Sequence, residues 1–295
     1  MKLSGYIELL RPFTLLAPLL VSLCVMIASL VYTKPGALNI VALLPMLIPA
    51  SVSFALLNAA SNALNQATDW KEDALSKPYR PIPKGIISRR EAFFTSAVLY
   101  SFALSLALTI HMTFALIVSL IAAFSITYSV PPRMKKTLLL NQAWVAIPRG
   151  FLGIIGSWSV FANPLQPLPL AMGSIAALFL FGGTATKDVL DAEADNAVGT
   201  KTMINVFGVK KTAVVSLFFM LVAFLLILPF VYLHILDSMF LPLSFLVLLS
   251  CFIGWSMLHT RHNHTCENTS AWTLMYATYF LFALGFAMIT IVFSS

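Results

Sequence analysis

Long apolar runs interrupted by short clusters of charge set the pattern of this chain. A bilayer core about 30 Å thick needs roughly 20 apolar residues per spanning helix. Nine runs approach or exceed that length, near Phe13 to Val31, Ile40 to Leu64, Ala92 to Ile110, Met112 to Ser129, Leu138 to Phe161, Leu168 to Ala185, Thr212 to Leu233, Ser238 to Met257 and Trp272 to Phe293. Only His111 separates the third run from the fourth, which calls for a very tight turn and leaves eight spans as the alternative count. The first run is longer than a signal-peptide core and no small-residue cleavage pattern follows it, so it reads as a retained helix. Pro131-Pro132 and the stretch from Pro164 to Pro169 fall between runs, where proline ends helices without stranding backbone groups in lipid.

Within the second run a polar stripe breaks the apolar pattern. Asn58, Asn62, Asn65, Asp69 and Asp73 recur at spacings of four, three, four and four, which puts them on one helix face. Thr184, Asp188, Asp191 and Asp195 repeat the arrangement after the sixth run. Solvated loop charge would explain the aspartates but not the asparagines that carry the stripe into the apolar run, where polar groups face a bundle interior or a wet cavity. Two such stripes are expected to face each other across a cavity. Asp69 and Asp191, like Asp73 and Asp195, stand 122 residues apart, and each cluster is followed by a glycine and a basic pair, Gly85 with Arg89-Arg90 and Gly208 with Lys210-Lys211. This reads as a four-helix internal repeat with the ninth helix left over. The expected fold is therefore an all-α membrane protein, about nine transmembrane helices in one bundle around a central cavity, with residues 1–295 forming a single polytopic domain.

Composition agrees, with 59% hydrophobic residues, 10% charged and a mean hydropathy of +0.91, against roughly 25% charge in a soluble chain. The net charge of +7 could point to nucleic acid, but the basic residues sort by loop. They follow the second, fourth, sixth and eighth runs, while the opposite loops hold almost nothing but Lys34. The positive-inside rule then puts the N-terminus and the Asp-bearing loops in the cytoplasm and the C-terminus outside. Nucleic acid is excluded as a partner, and no obligate protein partner is evident. Cys24, Cys251 and Cys266 have neither paired nor metal-like spacing.

Opposed carboxylates suit Mg²⁺, a hard ion that takes oxygen ligands and typically joins one or two carboxylates to phosphate oxygens. Such clusters can grip a diphosphate, with Lys77, Arg80, Arg133, Lys135 and Lys187 as cationic clamps on the charge that builds as it leaves. Arg149 lies mid-span, where an unpaired guanidinium is costly. It pairs with a polar group of the bundle, or it contacts diphosphate or an anionic acceptor. Arg11 reads as an interfacial anchor, and the loop bearing His259, His262, His264 and Cys266 reads as a polar cap over the cavity rather than a metal site.

Four segments carry a family resemblance. Asn65-Gln-Ala-Thr-Asp69-Trp-Lys-Glu-Asp73 resembles the NxxxDxxxD motif of the UbiA superfamily of intramembrane prenyltransferases. Lys77-Pro-Tyr-Arg80-Pro-Ile-Pro-Lys-Gly85 is similar to its NRPxPxG segment, with Lys77 in the Asn place. Tyr128-Ser-Val-Pro-Pro132-Arg-Met-Lys135 resembles its YSxPPxRxK loop, and Lys187-Asp188-Val-Leu-Asp191-Ala-Glu-Ala-Asp195 its KDxxDxEGD motif, with Ala194 replacing the usual glycine. The resemblance implies a ring of helices around a large cavity open to lipid. It implies Mg²⁺-dependent transfer of a polyprenyl group from a prenyl diphosphate to a lipophilic acceptor, through an allylic cation. Family roles fall on Asn65, Asp69, Asp73, Asp188, Asp191 and Asp195 as metal and diphosphate ligands. Arg80, Lys135 and Lys187 then contact phosphate, and Tyr128 shields the cation.

The motif form leans toward subgroups acting on geranylgeranylglyceryl phosphate, homogentisate or chlorophyllide, with an aromatic quinone-pathway acceptor as the alternative to an ether-lipid one. A secondary transporter is the rival from another class, although transporter sites sit near the midplane and these carboxylates gather at helix ends. The DGxxAR signature of the CDP-alcohol phosphotransferases is absent.

Overall fold

A computed structural model describes residues 2–34, 40–197, 199–259 and 269–294, with the side chains of Ile40, Asp191, Glu193, Ala194 and Ser294 outside the described set. Every regular element among these residues is helical. The chain runs through α1 (Lys2–Leu10), α2 (Leu16–Thr33), α3 (Ile40–Thr68), α4 (Trp70–Ser76), α5 (Arg89–Ile110), α6 (Met112–Ser129) and α7 (Leu140–Ala146). It continues through α8 (Leu152–Ser159), α9 (Pro167–Gly183), α10 (Asp188–Ala197), α11 (Met203–Leu225), α12 (Ile227–Tyr232), α13 (Val247–Leu258) and α14 (Ser270–Ser294).

Eight helical stretches of the described residues are long and apolar enough to cross a membrane, which makes this a multi-pass membrane protein. The remaining expected span is present as α7, a π-helical turn at Ile147–Phe151 and α8. Asn141, Gln142 and Arg149 make it too polar to stand among the eight. Pro148 has no N–H to give an i→i−4 bond, and the backbone widens to π geometry at that point. Gly150 in the same turn lies so close to α9 that an added Cβ would stand 2.5 Å from the Ala177 backbone.

The tight turn between the third and fourth spans is a single residue. His111 is extended between α5 and α6, its Nδ1 accepts the Phe114 N–H at 3.1 Å, and its Nε2 lies 2.8 Å from the Ser159 carbonyl. Because Nδ1 accepts, the ring proton sits on Nε2 and donates to Ser159. One side chain thus caps α6 and ties it to the end of α8.

The first span differs from expectation at its start. A short amphipathic helix, α1, precedes it, and Arg11 turns the chain through a left-handed conformation (φ 54°) into a 3-10 turn at Pro12–Leu15. Asn62 Nδ2 and Gln66 Nε2 on α3 hold this turn by donating to the carbonyls of Leu10 (2.9 Å) and Leu9 (2.7 Å). Helix-to-helix contact elsewhere uses small residues, as when Ser53 and Ser96 donate across the α3–α5 seam to the Ala103 and Ala60 carbonyls at 2.8 and 2.9 Å. One apolar core joins Trp158, Phe240, Phe282 and Phe286, and another joins Phe54, Phe114 and Leu57. Gly85 (φ 71°) breaks the backbone ahead of α5, and Gly208 (φ 77°) kinks α11 within its first turns.

Candidate active site

Both acidic stripes run across breaks in their helices. Asp69 (φ −101°, ψ 18°) separates α3 from α4, and a 3-10 turn at Thr184–Lys187 separates α9 from α10, which opens with Asp188. The breaks bend each acidic segment over one cavity of about 290 Å³. Asn65, Asp69 and Asp73 line it on one side, and Asp188, Asp195 and Lys187 on the other. Its walls then become apolar through Leu57, Phe54, Ile121, Val145, Leu180 and Met275. Asp191 belongs to α10 by its backbone, but its side chain lies outside the described residues, as do His262, His264 and Cys266 of the expected cap.

Basic side chains sit on the first cluster. Asp69 Oδ1 accepts from Arg133 Nη2 at 2.8 Å and pairs with Lys135, while Asp69 Oδ2 accepts from Asn65 Nδ2 at 2.8 Å. Asn65 thereby keeps its amide oxygen free for another partner. Asp73 takes both its contacts from Arg80 Nη1, at 2.7 and 2.8 Å, in a pair almost wholly out of solvent. Burial pushes the Asp73 carboxyl above the ordinary carboxylate range, against the lowering pull of Arg80. Burial likewise draws the Lys135 ammonium down, and Asp69 resists that.

The second cluster is organised by a relay. Lys187 Nζ donates to Tyr128 Oη (2.6 Å), Tyr128 donates to Asn141 Oδ1 (2.9 Å), and Asn141 Nδ2 donates to Asp188 Oδ2 (3.3 Å). The Lys187 ammonium lies 5.2 Å from the Tyr128 ring centroid, at the hydroxyl end of the ring. Deeper in the cavity Arg149 donates to Asn58 Oδ1 and Tyr276 Oη, each at 2.9 Å, and Tyr279 Oη donates to the Arg149 carbonyl at 2.8 Å.

No three His, Cys, Asp or Glu side chains among the described residues converge tightly enough to hold a metal by themselves. The donor set nevertheless fits Mg²⁺, because every candidate ligand is a hard oxygen and the ion ordinarily completes its shell with substrate phosphate and water.

Residues 19–284 match the profile of the UbiA prenyltransferase family. The chain belongs to this family. Membership makes it a prenyltransferase and removes the transporter reading. It is 31% identical to a digeranylgeranylglyceryl phosphate synthase of Korarchaeum cryptofilum over 248 residues, 83% of each chain. It is 33% identical to one of Halobacterium salinarum over 220 residues, 73% of each. Among solved structures it resembles a UbiA homologue from Archaeoglobus fulgidus bound to DMAPP and Mg²⁺, with a TM-score of 0.73 and 20% identity over 98% of this chain and 99% of that one. A UbiA homologue from Aeropyrum pernix matches with a TM-score of 0.69 and 18% identity over 91% of this chain and 96% of that one. At such identities these two likenesses speak for the fold alone.

Of the residues singled out in the sequence of this UbiA-family enzyme, Asn65, Asp69, Asp73, Arg80, Tyr128, Lys135, Lys187, Asp188 and Asp195 all line the cavity. Arg149 lines it too, but beside Asn58, eleven residues along α3 from Asp69; at 1.5 Å per residue that is about 16 Å. Arg11, expected as an interfacial anchor, lines the cavity as well. Sequence reasoning passed over Asn141, Tyr276 and Tyr279. Asn141 carried a signal, being an amide inside an apolar run close to Arg149, whereas nothing distinguishes the two tyrosines from packing aromatics.

Proposed function

We propose that this enzyme transfers a polyprenyl group from a prenyl diphosphate to geranylgeranylglyceryl phosphate, with Mg²⁺ held by the two acidic helix ends. The observation that carries the reading is that Asp69 and Asp73 share one cavity with Asp188 and Asp195, and that apolar walls continue from it. The acceptor follows from the relatives, which are named digeranylgeranylglyceryl phosphate synthases and align over most of both chains.

In this reading Asn65, Asp69, Asp73, Asp188, Asp191 and Asp195 are the metal and diphosphate ligands. Bound there, Mg²⁺ would neutralise diphosphate charge and make the group a better leaving group. Lys135 and Lys187, with Arg80 and Arg133 behind the carboxylates, add fixed positive charge where the negative charge develops. The prenyl C1–O bond breaks with its electron pair going to diphosphate, and the allylic cation that remains lies among apolar and aromatic side chains that exclude water. Tyr128, presented by α6, flanks that position. The acceptor hydroxyl oxygen then bonds to C1, and its proton passes to the departing diphosphate.

The Asp-bearing loops and the N-terminus face the cytoplasm in this reading, and the C-terminus lies outside. Support comes from Lys71, Lys77, Lys84, Arg133, Lys136 and Lys201 all belonging to connections at the acidic end of the bundle. Residues 1–295 are read as one polytopic domain, since α2, α3, α6, α9 and α14 all contribute to the cavity wall.

The test is incubation of purified protein with Mg²⁺, labelled geranylgeranyl diphosphate and a panel of acceptors. Digeranylgeranylglyceryl phosphate is the expected product, and a prenylated aromatic product would move the acceptor assignment to quinone-type substrates. Release of no prenylated product with any acceptor would overturn the reading.

A further inference from the structure

Arg149 is exposed, yet it faces the cavity from the middle of a membrane span. Its guanidinium contacts are two neutral oxygens, those of Asn58 and Tyr276. Among the described residues no carboxylate lies within ion-pair distance of it. A cation at this depth with only neutral partners is costly, and such groups mark ligand paths.

Its position is built rather than incidental. Asn58 is itself anchored, because its Nδ2 donates to the Thr14 carbonyl (3.0 Å) and Oγ1 (3.2 Å) and so turns Oδ1 toward Arg149. Tyr279 Oη donates to the Arg149 carbonyl and ties the π-helical turn to α14. Gly150 lets that turn press against α9, which fixes where residue 149 stands.

Asn58, which Arg149 contacts, lies about 16 Å along α3 from Asp69, so a diphosphate held at Asp69 and Asp73 sits toward the other end of this polar track. A hydrocarbon tail gains nothing from a guanidinium. The remaining component of the reaction is the acceptor, whose nucleophile must face C1 between the two ends of this polar track. We infer that Arg149, positioned by Asn58 and Tyr276, receives an acid group carried by the acceptor, a phosphate ester or a carboxylate. This rests on the prenyl-transfer reading above and adds to it the group by which the acceptor is recognised. Two or more charge-assisted hydrogen bonds to one anion favour acid over neutral acceptors by about 10-fold or more.

The test measures binding to the full-length protein in detergent by quenching of the cavity tryptophans, Trp144 and Trp272. One arm compares geranylgeranylglyceryl phosphate with its dephosphorylated alcohol, and the other a hydroxylated aromatic carboxylate with its methyl ester. Geranylgeranyl diphosphate with Mg²⁺ is measured in parallel. The expected result is a preference for the acid form in at least one arm. Arg149→Gln should remove that preference, Arg149→Lys should keep part of it, and neither should move the affinity for geranylgeranyl diphosphate. A wild type without acid preference in either arm would overturn the inference, as would a preference surviving Arg149→Gln or an equal loss of diphosphate affinity. Failure of the wild type to bind geranylgeranyl diphosphate strikes the prenyl-transfer reading instead, and the acid-to-neutral ratio still reports on Arg149.

Discussion

Lys187 Nζ and Tyr128 Oη are 2.6 Å apart, with the ammonium 5.2 Å from the ring centroid, beyond the hydroxyl end of the ring. Two helices remote in sequence thus meet at the rim of the cavity, and the motif lysine is aimed by the motif tyrosine. The hydroxyl orients Lys187 and Asn141, while the ring is a wall for the prenyl carbon. These two contributions separate by substitution.

Tyr128→Phe removes the hydroxyl and keeps the ring. Loss of one charge-assisted hydrogen bond should raise the KM for prenyl diphosphate by about 10-fold with a smaller change in kcat. Tyr128→Leu removes the aromatic face as well and should lower kcat further. Steady-state kinetics of the two variants decide the matter, and equal kcat values would show that the ring does nothing for the cation.

Asp69 gathers Asn65, Arg133 and Lys135 onto one carboxylate. Asp69→Ala should lower turnover by about 1,000-fold or more, because ligand and charge partner go together. Chelation of Mg²⁺ from the wild type should stop turnover as completely, and added Mg²⁺ should restore it. Both samples should keep a cooperative thermal unfolding transition, which shows that the loss is chemical. Activity of Asp69→Ala near the wild-type level would remove the metal role from this stripe.

The Asp73–Arg80 pair is buried on both sides, so its two halves should behave differently alone and together. Arg80→Met strands a carboxylate and should cost about 3–5 kcal/mol. Joining it with Asp73→Leu should return most of that stability, since apolar replacement of a whole buried pair is often neutral. Activity should stay lost in the double variant. Thermal melts and turnover measured on the same preparations test this, and recovered activity would make the pair structural only.

Much of this site could be read from residue order, because its chemistry is local. Spacings of three and four put Asn65, Asp69 and Asp73 on one face, and a charged residue at the end of a long apolar run has few places to go. What stayed hidden depends on contacts across the bundle. Asn58 and Asn62 extend the stripe as expected, yet they also pin the Arg11 turn through Thr14 and Leu10, more than forty residues away. Asn141 joins Tyr128 to Asp188 only because α7 lies between their helices. The mid-span position of Arg149 is legible, but its partners Asn58 and Tyr276 depend on a π-helical turn, and apolar periodicity carries no information about a one-residue change in hydrogen-bond register. The helix break at Asp69 is equally silent, since no glycine or proline marks it, whereas Gly182-Gly183 stand directly before the break at Thr184.

Two glycines give a last contrast, because the same substitution meets opposite surroundings. A Cβ at Gly150 would lie 2.5 Å from the backbone of Ala177, a contact that neither helix can relieve by turning a side chain. Gly150→Ala should therefore push the π-helical turn off α9, lower the melting temperature sharply and displace Arg149 from Asn58 and Tyr276. Gly85 has φ 71° with nothing within 4 Å of an added Cβ, so Gly85→Ala pays only the left-handed backbone penalty of about 1–2 kcal/mol. The Gly85 variant should keep its preference among acceptors. Whatever Gly150→Ala protein folds should lose that preference before it loses affinity for prenyl diphosphate, because the acidic cluster of α3 does not rest on the π-helical turn. Equal melting temperatures for the two variants would show that the close approach of Gly150 to α9 does not hold this part of the cavity.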